Sequence, residues 1–132
     1  MELLCAAGIF FCSVAGTEGR VAADFAFFSQ STVAAHDEHM QHGLPCIGRL
    51  GDGRLLLVWA RNPVNSSDFS IVGALSSDCG CTWTPPKVFI DHPGLLDADP
   101  NVVVIDNRVL VTCTTVDFSQ GIRTSATWCV RS

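Results

Sequence analysis

From Pro45 onward the apolar residues fall in short runs separated by polar turn residues, and no stretch carries a helical period of useful length. Cys46-Ile47-Gly48-Arg49-Leu50, the polar Gly51-Asp52-Gly53-Arg54 and the apolar Leu55 to Ala60 predict strand, tight turn, strand. Asp-Gly is a strong hairpin signal, because glycine takes a positive φ at no steric cost. A second hairpin is predicted from Asn101 to Ile105, a turn at Asp106-Asn107, and Arg108 to Thr115. Phe69 to Leu75 reads as a third strand and Thr124 to Val130 as a late one. The body of the chain is expected to be all-β.

The two hairpins resemble one another. Pro45 through Ala60 and Pro100 through Thr115 each run from a proline through an apolar strand and a polar turn to a strongly apolar strand. Their spacing of 55 residues suits a repeated four-stranded unit with a loop insertion. Ahead of them, Leu3 to Ala15 is apolar apart from Ser13, and Ser13-Val14-Ala15 offers the small residues a signal peptidase requires. Residues 1–16 are therefore read as a signal peptide, although Glu2 stands where a positive charge is usual. This implies a secreted or periplasmic protein with no membrane span once the leader is removed. Residues 17–42 carry no clear period and read as an approach segment, leaving 43–132 as the folded domain.

Composition narrows the partners. The chain of 132 residues has room for one domain with a real core, and its net charge of -5 with scattered Lys and Arg argues against nucleic acid or an anionic membrane. Of seven cysteines, Cys46, Cys79, Cys81, Cys113 and Cys129 lie outside the leader, and no C-x-x-C pair occurs. Cys46 and Cys113, flanked by apolar neighbours, read as small buried hydrophobes. His36, His39 and His42 sit three apart, but no carboxylate or thiolate pattern supports a metal, and none is expected. Asn65-Ser66-Ser67 fits the N-glycosylation acceptor pattern.

The stretch with the most specific pattern is Ser76-Ser77-Asp78-Cys79-Gly80-Cys81-Thr82-Trp83. It fills every position of S-x-D-x-G-x-T-W, the Asp-box. Ser76 and Asp78 can bond the amides of a tight turn, Gly80 allows a left-handed residue, and Trp83 offers a large apolar face to fasten it. The box is a structural device between the third and fourth strands of a propeller blade. Asp78 is for that reason not a catalytic candidate.

The surrounding order extends the match: Leu44-Pro45-x-Ile47, the run from Asp52 to Arg61, Asp68-Phe69-Ser70, the box, then Asp99-Pro100. Over residues 42–115 or so, this order resembles the amino-terminal third of the sialidase (neuraminidase) superfamily. The resemblance implies a partial six-bladed β-propeller of about two blades. It also implies Arg61 and Asp99 as sugar-binding residues and Asp68 as general acid/base. Such an enzyme would cleave a terminal sialic acid, or a related sugar, from a glycan without a cofactor. Protonation of the leaving oxygen needs a carboxylic acid, and sialidases then use a tyrosine nucleophile. By residue type alone Arg61 is a solvated loop arginine and Asp68 a turn former, while Asp97 and Asp99 both suit a loop before Pro100.

Two departures shape the expectation. The family begins its first blade with a carboxylate-clamping arginine directly before Ile-Pro or Leu-Pro, and here that position is Gly43. The sequence also holds no tyrosine. It is thus expected to be an incomplete piece, inactive alone, with open blade edges that favour self-association. The alternative is a non-catalytic Asp-box propeller module that binds carbohydrate or protein.

Overall fold

A computed structural model of the chain describes residues 31–106, 108–119 and 124–131. The expected leader 1–16 and most of the approach segment lie outside those residues. Among the described residues there is no helix, and the strands form two antiparallel sheets. The first sheet is a meander of β1 (Met40–Arg49), β2 (Leu55–Pro63), β3 (Ser70–Ser76) and β4 (Lys87–Asp91). The second is β5 (Leu96–Ile105), β6 (Arg108–Asp117) and β7 (Thr124–Arg131). The expected all-β class holds, whereas a closed propeller is a further step that two open sheets do not establish. The main differences from the sequence reading are that β1 starts at Met40 and β5 at Leu96, and that β4 is given no residue range there.

Side-chain alternation along β2 divides the core. Leu56, Val58 and Ala60 point toward the second sheet and pack with Ile71, Ile90, Val111 and Cys113. Leu57 and Trp59 point the other way, onto Val72 and Ala74, where Val33, Ala34 and Trp83 cover them. A strand buried on both faces reads as a continuous apolar run, which is why Leu55 to Ala60 shows no alternation.

The two sheets meet along β1 and β5. Gly48 lies so close to β5 that an added Cβ would stand 2.5 Å from Val102 Cγ1 and 3.2 Å from its Cβ. Both strands carry a bulge at the same place in the repeat. The register shifts between Gly43 and Cys46 in β1 and between Ala98 and Asn101 in β5. In each bulge the residue before the proline is left-handed, Leu44 at φ 54° and Asp99 at φ 52°. Aspartate tolerates that region; leucine does so at a cost. The equivalent residues Cys46 and Asn101, 55 apart in sequence, touch through Sγ and Oδ1 at 3.5 Å. The sequence repeat is therefore a structural repeat.

The box forms the β3–β4 turn, as its sequence implied. Ser76 is buried, and its Oγ accepts from Gly80 N at 2.8 Å while donating to Asp78 Oδ1 at 2.8 Å. Asp78 in turn accepts from Thr82 N at 2.8 Å and Thr82 Oγ1 at 2.6 Å. The Thr82 hydroxyl, then the Thr82 amide and Ser76, hold the Asp78 carboxyl down at about 2. Gly80 takes φ 90°, and its carbonyl accepts from Trp83 Nε1 at 3.0 Å and from Ser31 Oγ at 3.1 Å. The box thus closes the turn and pins the segment entering the first sheet.

Candidate functional site

A meander places its connections alternately at two ends. The β1–β2 turn and the Asp-box lie at one end; the entry to β1, the β2–β3 loop and the β4–β5 turn lie at the other. Arg61, Asp68 and Asp99 all belong to this second end, away from the box. Arg61 lies near the end of β2, Asp68 sits in the β2–β3 loop, and Asp99 lies on the β5 bulge.

The loop bearing Asp68 is braced from both sides. Asn62, buried at the end of β2, donates through Nδ2 to Pro63 O at 3.0 Å and Ser66 O at 2.9 Å. Phe69 N donates to Leu95 O at 2.9 Å, and Asp97 N to Phe69 O at 3.3 Å, so the loop is stitched to the start of the second sheet. Gly94 N donates to Asp68 Oδ1 at 2.8 Å, which fixes one carboxylate oxygen.

Arg61 lies on the face of the first sheet turned away from the second, opposite His42 across the β1–β2 ladder. Its Nε is buried and has no hydrogen-bond partner, a costly state for a guanidinium donor. No ion pair joins Arg61 to Asp68 or Asp99 among the described residues. The three candidates share an end of the molecule but not a contact. Asp99 is exposed on its bulge.

His42 has more definite surroundings than its sequence position suggested. Its Nδ1 accepts from Trp59 Nε1 at 2.9 Å, and its backbone N donates to His36 Nδ1 at 3.3 Å. Burial, followed by the nearby His36 and Arg61, pushes the His42 imidazole below its ordinary range. Because Nδ1 accepts from Trp59, the neutral His42 ring carries its hydrogen on Nε2. An added side chain at Gly43 would meet nothing within 4 Å.

Asp97 corrects the sequence reading. It is no loop residue but an inward position of β5 with 0% exposure. Its Oδ2 accepts from His92 N at 2.9 Å and its Oδ1 lies 3.0 Å from His92 Nδ1, with Thr115 Oγ1 donating to the same oxygen. The His92 ring lies against Trp128, centroids 4.6 Å apart. His92 was not singled out from sequence: its partners Asp97, Thr115 and Trp128 come from three different strands.

A cleft of about 430 Å³ lies at the Asp-box end, lined by Leu50, Leu56, Leu75, Phe89, Val104 and Val109. Its lining is mainly apolar, the Asp52–Arg54 ion pair at 2.7 Å stands at its edge, and none of the sequence candidates reaches it. No helix among the described residues is long and apolar enough to cross a membrane. A scan against protein-family models finds no match, and a search of curated proteins finds none either.

Proposed function

We propose that the chain is part of a sialidase-like Asp-box propeller whose end opposite the box receives a terminal acidic sugar of sialic acid type. The observation that carries this reading is the combination of a fully bonded Asp-box turn with Arg61, Asp68 and Asp99 gathered at the far end of the same sheets. In this reading Arg61 contacts the sugar through its guanidinium. Asp68, steadied by Gly94, faces the glycosidic oxygen as acid/base, and Asp99 bonds a sugar substituent. With no tyrosine in the sequence, the expected activity of these residues is binding, and turnover of an α-sialoside is not expected from them alone.

A second reading, a non-catalytic module that binds carbohydrate or protein, is favoured by Gly43 standing where the clamp arginine would be. Saturation-transfer NMR with α-methyl N-acetylneuraminoside tests the first reading against it. Saturable binding that Arg61→Ala weakens by about ten- to one-hundred-fold, the worth of a charge-assisted hydrogen bond, is expected. Binding left unchanged by Arg61→Ala, or no transfer at millimolar sugar, would discard the sialoside reading.

A further inference from the structure

The His92–Asp97 pair is a described titratable cluster that the proposed sugar chemistry leaves unused, and its geometry is that of a prepared binding group. A buried carboxylate without a cationic Lys or Arg beside it is expensive unless it is well hydrogen-bonded. Asp97 meets that demand with the His92 amide, the His92 ring and the Thr115 hydroxyl. A carboxylate only accepts, so His92 Nδ1 carries a hydrogen, and in the neutral ring the lone pair is on Nε2. His92 keeps 30% of its side chain exposed. Its Nε2 bonds no described residue and is not among the buried unpartnered atoms. Trp128, tilted 33° against the His92 ring, is itself 46% exposed. An oriented acceptor thus stands beside an open aromatic surface.

His92 also belongs to the turn that contacts the proposed acid. The turn that carries His92 carries Gly94 as well, whose amide holds Asp68. Asp97 therefore braces both the imidazole and the turn that steadies the proposed acid.

We propose that His92 and Trp128 form a neutral-sugar subsite next to Asp68, taking the unit to which the terminal acidic sugar is linked. This rests on the glycan reading above. The apolar face of a pyranose lies on the Trp128 ring, as sugars do on exposed indoles, and one of its hydroxyls donates to His92 Nε2. Asp97 is a positioning residue: it fixes which ring nitrogen accepts.

The test uses the full chain labelled with ¹⁵N at histidine and at the tryptophan indoles, titrated with lactose, α-methyl N-acetylneuraminoside and 3′-sialyllactose. Long-range ¹H–¹⁵N spectra should show His92 with Nδ1 protonated and Nε2 bare, and Asp97→Asn should lose that single tautomer. Lactose and sialyllactose should move the His92 Nε2 and Trp128 indole signals, whereas the methyl sialoside should not. His92→Gln should weaken sialyllactose binding about ten-fold, the size of one hydrogen bond, Trp128→Ala by a similar factor, and Trp128→Phe by less. Sialyllactose binding with His92 and Trp128 signals unmoved would overturn the subsite and leave the sialoside reading intact. Binding of the methyl sialoside alone would do the same, and binding of none of the three would remove both. A His92 ring already mixed between tautomers in the unaltered chain would overturn the role of Asp97.

Discussion

A single methyl group at Gly48 should loosen the seam between the two sheets. An alanine there puts its Cβ 2.5 Å from Val102 Cγ1 and 3.2 Å from Val102 Cβ. Val102 cannot swing clear cheaply, because a β-branched side chain is stiff at χ1 and Val104 Cγ2 stands 3.6 Å from the same point. Overpacking of this kind costs about 1–3 kcal/mol. Alanine returns about 0.5–1 kcal/mol, because it surrenders less backbone freedom than glycine on folding. The net expectation for Gly48→Ala is a loss of up to about 2.5 kcal/mol. Val102→Ala, truncating a half-buried side chain, should cost about 0.8 kcal/mol by itself. In the double variant the space vacated by Val102 admits the new methyl, so the costs should fall short of additivity by about 0.5 kcal/mol or more. Urea unfolding followed by tryptophan fluorescence measures all four proteins, with equal slopes required for the comparison. Additivity within about 0.3 kcal/mol would refute the β1–β5 contact as described.

Gly73→Ala should behave differently from Gly48→Ala. Its Cβ would stand 2.9 Å from the Leu57 carbonyl and 2.8 Å from Phe89 Cε2, and backbone cannot give way. A loss near the upper end of overpacking, about 3 kcal/mol, is expected, and Phe89→Leu should not rescue it in the same unfolding assay. The Asp-box should give an acid limb. Because the folded Asp78 carboxyl is held down to about 2 from 3.8, its stabilisation is complete above the unfolded value and fades as pH falls toward the folded one. Asp78→Asn should flatten that part of the stability–pH curve, and an unaltered curve would count against the Thr82 and Ser76 bonds. Thiols should divide by burial in the native protein. Iodoacetamide at pH 8 should label the exposed Cys81 and Cys129 quickly and spare Cys113, whose thiol is pushed up by burial and then by Asp97. Mass mapping that finds Cys113 labelled as fast as Cys81 would contradict the core assigned to it.

Much of the fold could be read from local pattern. The Leu55–Ala60 run, the Asp52-Gly53 turn and the box are short-range signals, and β2, the β1–β2 turn and the β3–β4 turn follow them. Where the signal was weaker, the sequence reading fell short. In β4 only Val88, Phe89 and Ile90 are apolar, between two prolines and an aspartate, so nothing local separates a strand from a loop there. The first residues of β1 and β5 are broken by a bulge with a left-handed residue and a proline, which hides their alternation. Cys113 is buried as its neighbours suggested, whereas Cys46 is only half-buried, because it faces Asn101 at the seam. Burial of Asp97 could not be read locally, since Thr115, 18 residues on, supplies one of its partners. The one available hint was a charged residue at an inward position of an apolar strand. Arg61, Asp68 and Asp99 were legible only through the order of motifs around them. What holds Asp68 in place, the amide of Gly94, lies 26 residues away.

The account's central claim is that sugar is received at the end opposite the Asp-box. A ¹H–¹⁵N correlation spectrum of the backbone, recorded with and without α-methyl N-acetylneuraminoside, tests that claim directly. Saturable shifts confined to the entry of β1, the end of β2, the Asp68 loop and the Gly94 turn are expected, with the turns at Asp52 and Asp78 unmoved. Shifts centred on the Asp52 and Asp78 turns, or none anywhere at millimolar sugar, would contradict it.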